Sequence, residues 1–288
     1  MIINKSLSGQ TAVITGANSG IGLQTAKALA KEHFELILMV RTEQKAQDAM
    51  TAILSEEPAT RISYVLADLE DLVSVKRAAD EIKMTNTKID RLINNAGYSP
   101  SGISFTADGY ERSFIANHMG PFVLTLNLLP LLKNSPDARV INLSSDAHAI
   151  GKVSRMFSKN NGAVSDIAAY ADGKLANILF TQGLAKQVAG TSVTTYSVHP
   201  GVVRTNFGWD MKGWLKIVFA LMRPFMITPE KGAATSIYLA TTDLKNIKSH
   251  SGGYFTKSKP AATKSKDITP QNVNLIWQKS LEVAGSNI

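Results

Sequence analysis

Short, wholly apolar runs alternate with amphipathic stretches along most of the chain. Thr11–Thr15 (TAVIT), Phe34–Val40 (FELILMV), Ile62–Leu66, Arg91–Ile93, Arg139–Leu143 (RVINL) and Val193–Val198 read as strands, and Gly253–Phe255 as a seventh. Apolar residues at helical spacing predict helices over Ile21–Lys31, Thr42–Leu54, Leu72–Lys83, Ala107–Leu132, Ala168–Val188 and Pro229–Thr241. Strands with no polar alternation are buried on both faces, so the helices between them must cover both sides of a parallel sheet.

Right-handed crossovers turn this alternation into a doubly wound α/β sheet, a single-domain Rossmann fold. No repeat and no interdomain linker interrupts the 288 residues, which are expected to form one unit over 1–288. The polar stretch Ala261–Thr269 reads as a loose loop.

Composition then narrows the chemistry. The chain has no cysteine, which excludes disulfides, thiolate metal sites and cysteine nucleophiles. Its five histidines (33, 118, 148, 199 and 250) lack metal-ligand spacing, so no metal is expected. The formal net charge is +8, but the basic residues are scattered, the densest group being Lys257, Lys259, Lys264 and Lys266. Without a nucleic-acid motif, a solvated surface is the expected reading and nucleic acid is not an expected partner. Met1–Gly9 lacks the pattern of a secretion signal, and no run of about 20 apolar residues is present. A cytoplasmic location is expected.

The first strand runs into Thr15-Gly16-Ala17-Asn18-Ser19-Gly20-Ile21-Gly22. Glycines at a strand-to-helix turn let a pyrophosphate approach the backbone, where free N–H groups and a helix N-terminus receive it. The second strand ends at Arg41 with no carboxylate before Glu43. An acid there would select NAD; Arg41 instead suits the 2′-phosphate of NADP(H), with NAD(H) as the lesser candidate. Asp68 and Leu69 after the third strand are candidates for the adenine, and Asn95, Ala96 and Gly97 lie in the loop after the fourth.

Tyr170 and Lys174 are four apart on a predicted helix and share a face. A nearby ammonium is expected to lower the phenol's pKa, fitting Tyr170 for acid–base work. Ser145, with its neighbour Ser144 as the alternative, ends the fifth strand and can polarise a substrate oxygen. Pro121 has no N–H, so the Asn117 carbonyl is expected to be free to hold a water.

Thr15–Gly22, Asn94–Gly97 (NNAG), Tyr170–Lys174 (YxxxK) and Pro200–Gly201 occur in the order of the short-chain dehydrogenase/reductase family, which the chain resembles over nearly its whole length. The stretches around Lys174–Gln182 and Val193–Gly201 are similar to its retinol dehydrogenase-like branch. The resemblance implies a tetrad of Asn117, Ser145, Tyr170 and Lys174, with Lys174 also on the nicotinamide ribose. It further implies that Pro200, Gly201 and Val203 meet the nicotinamide and that Thr205 reaches a phosphate.

Two insertions are expected to shape the substrate site. One separates Ser145 from Tyr170 by 24 residues (146–169) and carries His148, Met156 and Phe157. The other spans about 206–228, and its apolar part, 213–227 (GWLKIVFALMRPFMI), reads as a lid, a peripheral membrane contact or plain core. Together these features predict a reversible NADP(H)-dependent oxidoreductase acting on an apolar aldehyde, ketone or alcohol. A non-catalytic, redox-responsive regulator that binds a dinucleotide is the alternative. Pairing of the two long helices would allow a homodimer.

Overall fold

The computed structural model describes residues 7–97, 102–160, 165–203 and 226–288. Eight strands form one sheet in the order β3-β2-β1-β4-β5-β6-β7-β8. They are β1 (Thr11–Thr15), β2 (Glu35–Val40), β3 (Ile62–Leu66), β4 (Arg91–Asn94), β5 (Ala138–Leu143), β6 (Val193–His199), β7 (Tyr254–Thr256) and β8 (Lys259–Ala261). Every pairing is parallel except β7 with β8. The strand order reverses direction between β1 and β4, which opens the crevice where such sheets bind ligands.

Alternate residues of each strand enter opposite cores. Val13, Ile37 and Met39 pack with helices α3 (Leu72–Thr85), α5 (Gly120–Lys133), α6 (Asp166–Gln187) and α8 (Pro270–Ala284). Ala12, Ile14, Leu36 and Leu38 face α1 (Gly20–Lys31), α2 (Glu43–Leu54) and α7 (Pro229–Thr241). Strands β1, β2, β4, β5 and β6 are therefore buried almost throughout, whereas the edge strands β3 and β8 are partly exposed. This is the Rossmann arrangement.

The predicted helix over Ala107–Leu132 is shorter and not uniform. Thr106 and Tyr110 close a turn, and the Glu111 carboxylate accepts from Ser113 N (2.9 Å) and Phe114 N (2.7 Å), starting the short α4 at Arg112–Phe114. A π-turn over Ile115–Met119 follows and leads into α5, where Pro121 cannot supply an α-type hydrogen bond. The span Arg112–Lys133 has the length and hydropathy of a membrane helix, yet 83% of its apolar window is buried inside the protein. Core packing accounts for its composition.

The C-terminal region departs furthest from expectation. Lys257 and Ser258, both at positive φ, form a tight turn between β7 and β8. Helix α8 then lies on α6, with Trp277 so close to Gly183 that an added Cβ would sit 2.9 Å from the ring. Trp277 also packs edge-on against Phe122, with centroids 5.3 Å apart. Part of the face that the two long helices would offer to a second copy is thus covered by the chain's own helix. The loop after β8 is tied down, since Lys264 N donates to His148 Nε2 (2.9 Å) and Asp267 accepts from Val153 N (2.8 Å).

At the opposite end of the sheet, Arg91 and Arg139 are fully buried beside Asp137. They donate to the Ala240, Leu239 and Thr242 carbonyls at the C-terminus of α7, where a helix favours cations.

Candidate active site

The glycine turn at the end of β1 is shaped by close contacts. Gly16 has φ +64°, and a Cβ on Gly22 would lie 2.3 Å from the Gly16 oxygen and 2.4 Å from Asn95 Nδ2. Asn95 Nδ2 donates to the Thr15 carbonyl at 2.8 Å, and Ala96 N donates to Thr15 Oγ1 at 2.9 Å. The loops after β1 and β4 are therefore laced together. Ser19 caps α1 without a side-chain bond, and the buried Asn95 Oδ1 has no protein partner among the described residues. Asn18, Gly20 and Ile21 complete the turn into α1. A cradle without Cβ atoms at a helix N-terminus fits a dinucleotide's pyrophosphate, and the orphaned amide oxygen beside it suits a hydroxyl donor such as a cofactor ribose.

Ile21 also reaches the far side of the crevice. A Cβ on Gly232 of α7 would sit 3.2 Å from Ile21 Cγ1 and 2.6 Å from Val203 Cγ2. The loop of Pro200, Gly201 and Val203 after β6 is thereby brought to the glycine turn. Gly201 has φ +93°, and Val203 bridges to Ile227. Thr205 and residues 213–225 of the expected lid lie outside the described residues.

At the other end of the crevice, Arg41 is exposed, and among the described residues no carboxylate pairs with it. The nearby Glu43 is engaged by the Tyr64 hydroxyl at 2.9 Å. Asp68 Oδ1 accepts from Glu70 N (3.0 Å), and Leu69 packs so tightly on the start of α5 that a Cβ on Gly120 would meet its oxygen at 2.7 Å.

The acid–base group assembles where β5 meets α6. Lys174 Nζ, 3% exposed as a residue, donates to the Leu143 carbonyl at 3.2 Å and lies 5.4 Å from the Tyr170 ring centroid. Asn177 Nδ2 donates to the same carbonyl at 3.0 Å. Burial of the ammonium pushes Lys174 down to about 8. Burial also pushes Tyr170 up to about 12, and its hydrogen bond with Ser145 opposes that shift only in part. The expected lowering of the phenol by Lys174 does not set the direction: desolvation dominates, and the lowering contribution comes from Ser145.

The two serines have separate partners. Ser144 Oγ donates to the Lys174 carbonyl at 2.7 Å, whereas Ser145 Oγ accepts from Ala147 N at 3.2 Å and bonds with Tyr170. Asn117 is fully buried in the π-turn, and its Nδ2 donates to the Ser113 carbonyl at 2.8 Å. A Cβ on Gly173 would lie 3.1 Å from the Asn117 Cβ, and one on Gly97 would lie 3.4 Å from Lys174 Nζ. Gly97, Asn117 and Lys174 thus converge, and Gly173, unfavourable by helix propensity, permits the close approach.

The insertion after Ser145 is a packed structure. A Cβ on Gly151 would meet the Ala171 carbonyl at 2.6 Å. Asp172 accepts from Lys152 N (2.8 Å) and from Arg155 Nε (2.8 Å), pinning the segment to α6. Met156 is buried, and Phe157 packs edge-on against Phe114, 4.9 Å between centroids; both also line a small cavity with Tyr110 and Arg155.

Asn94 was legible in its motif, but Thr125, Asn142 and Thr181 escaped the sequence reading. Asn94 Nδ2 donates to Asn142 Oδ1 (2.8 Å) and Thr125 Oγ1 (3.0 Å), while Asn142 Nδ2 donates to Thr181 Oγ1 (2.9 Å). This buried ladder locks β4 and β5 to α5 and α6 beneath the site. Its signal was an asparagine inside an apolar strand. No cluster of potential metal ligands occurs among the described residues.

Carboxyl ends of parallel strands that cradle a pyrophosphate beside a tyrosine–lysine pair define a nicotinamide-dinucleotide oxidoreductase of the Rossmann class. The family model for short chain dehydrogenase matches residues 10–216. The chain belongs to the short-chain dehydrogenase family and falls in its retinol dehydrogenase-like branch. It is 36% identical to retinol dehydrogenase 12 of Mus musculus over 282 residues, 98% of this chain and 88% of that one. A crystal structure of a Mycobacterium paratuberculosis protein superposes with a TM-score of 0.75 at 30% identity, covering 96% of this chain and 94% of the other. The Pseudomonas aeruginosa RhlG/NADP active-site complex gives 0.70 at 25% identity, covering 89% and 98%.

Proposed function

We propose that the protein is an NADP(H)-dependent oxidoreductase that interconverts a carbonyl and an alcohol in an apolar aldehyde, ketone or alcohol. The observation that carries the reading is the meeting of Ser145, Tyr170 and Lys174 at the carboxyl end of β5. The nicotinamide cofactor supplies or accepts the hydride when bound.

Asn18, Ser19, Gly20 and Ile21 would hold the pyrophosphate, with Gly16 and Gly22 leaving room for it. Arg41 would take the 2′-phosphate, and Asp68 and Leu69 would flank the adenine. Asn95, Ala96 and Gly97 would line the middle of the crevice, with Pro200, Gly201 and Val203 at the nicotinamide and Thr205 at a phosphate. Support for the phosphorylated cofactor comes from Arg41, which has no ion-pair partner among the described residues, from Glu43 being engaged by Tyr64, and from the NADP-bound relative.

Tyr170 holds its proton at neutral pH and passes it to the substrate oxygen during reduction. Ser145 donates a hydrogen bond to the same oxygen and stabilises its developing charge. Lys174 has three donors and one rests on Leu143, so two remain for the ribose hydroxyls. Asn117 would hold a water through its main-chain oxygen and replenish the proton. An apolar substrate is in keeping with the retinol dehydrogenases among the relatives. The test is NADPH oxidation followed at 340 nm with a panel of long-chain and polyene aldehydes and ketones. Turnover preferring NADPH supports the reading, and failure to bind either NADPH or NADH overturns it.

A further inference from the structure

His148 lies in the insertion just beyond Ser145 and is fully buried. It makes two bonds to one atom, since its main-chain N–H (3.0 Å) and its ring Nδ1 (2.7 Å) both meet the Ser145 carbonyl. The other ring nitrogen, Nε2, faces the main-chain N–H of Lys264 at 2.9 Å. A carbonyl can only accept and an amide N–H can only donate. These two partners assign the proton to Nδ1 and leave Nε2 as the acceptor.

The Ser145 peptide plane is thus fixed from both ends of one residue. Ser145 Oγ meanwhile accepts from Ala147 N, which orients its own proton away from the 3₁₀ turn. We propose that His148 is a positioning residue that aims the Ser145 hydroxyl at the reacting oxygen, with the C-terminal loop at Lys264 holding the imidazole in the required tautomer. The proposal rests on Ser145 acting on the substrate oxygen, as set out above.

The surroundings keep the ring neutral. Asp146 on the same turn is committed to Lys264 Nζ (2.7 Å) and to the Tyr254 hydroxyl (3.0 Å). His199 from β6 accepts from Asp146 N at 3.2 Å. The Tyr254 ring of β7 packs against His148, 5.1 Å between centroids. Burial holds His148 below its ordinary pKa. A proton on Nε2 would place one donor against another, the Lys264 N–H. Through His148, Ser145 is therefore coupled to a loop that lies 116 residues beyond the histidine.

Two polar substitutions separate the ring's two bonds. His148→Asn retains a donor near the Nδ1 position, and His148→Gln places its amide near Nε2. The expected result is near wild-type kcat for His148→Asn and a kcat lower by about ten- to a hundredfold for His148→Gln, with the KM for NADPH unchanged in both. In a Ser145→Ala background the two substitutions should become equivalent. Equal activity of the two single variants, the reverse order, or a difference that persists without the Ser145 hydroxyl overturns the positioning role. A fully active Ser145→Ala overturns the underlying reading of Ser145 instead. Independently of turnover, ring-nitrogen NMR should find His148 protonated at Nδ1, and a proton on Nε2 contradicts the proposal.

Discussion

The Ser144 hydroxyl donates to the main-chain oxygen of Lys174 at 2.7 Å, which leaves its neighbour Ser145 as the serine bonded to Tyr170. Two adjacent residues of one type therefore have different tasks. Ser144→Ala should lower stability by about 1 kcal/mol, the net value of one hydrogen bond, and keep kcat within a few-fold. Ser145→Ala should lower kcat by about a hundredfold with little change in stability. Thermal unfolding and steady-state kinetics on both variants check the assignment.

Arg41 stands exposed at the start of the second helix without an ion-pair partner among the described residues. If it holds a phosphate, Arg41→Ala removes a charge-assisted contact of about 2 kcal/mol, which is roughly thirtyfold in affinity. The KM for NADPH should rise by that factor while the KM for NADH stays the same. An equal rise for both cofactors would assign Arg41 to something other than the 2′-phosphate.

Gly22 has no room for a side chain, since a Cβ would enter the Gly16 oxygen and the Asn95 amide. Gly22→Ala should force the loops after β1 and β4 apart. Dinucleotide binding, measured by quenching of tryptophan fluorescence, should weaken by at least about tenfold. Unchanged binding would place the pyrophosphate elsewhere.

The pH dependence follows from two opposite shifts. Burial lowers Lys174 to about 8 and raises Tyr170 to about 12. Reduction needs Tyr170 protonated and Lys174 charged, so its rate should be steady below pH 8 and fall as pH rises through that value. The loss belongs to Lys174, because Tyr170 keeps its proton across the range. Lys174→Arg, which stays charged, should lack the fall near pH 8 whatever its absolute rate.

Much of this architecture was legible because the physics was local. Strands such as β1 (TAVIT) and β2 (ELILMV) announced themselves as apolar runs too uniform for a half-exposed sheet, and the glycine turn and the Tyr170–Lys174 pair depend on short spacings. The hairpin of β7 and β8 was hidden because its turn is Lys257-Ser258, without the glycine or asparagine that usually marks positive φ. Helix α8 did carry a signal, Thr269 capping ahead of Pro270, with Val273, Ile276, Ser280 and Ala284 at helical spacing. Its polar remainder masked it. The π-turn at Asn117 and the opposing pKa shifts were beyond the sequence, since both arise from burial by residues far along the chain. The same holds for His148, whose partner Lys264 comes from a stretch that read as loose.

Tyr170 is expected to transfer the proton at a site that binds its cofactor independently of that hydroxyl. The most direct measurement is single-turnover NADPH oxidation by wild type and Tyr170→Phe with a carbonyl substrate, alongside cofactor affinity for both. NADPH affinity should stay unchanged while the chemical step slows by a factor of about a thousand in the variant. A variant that binds NADPH equally well and still turns over at the wild-type rate would contradict this role of Tyr170.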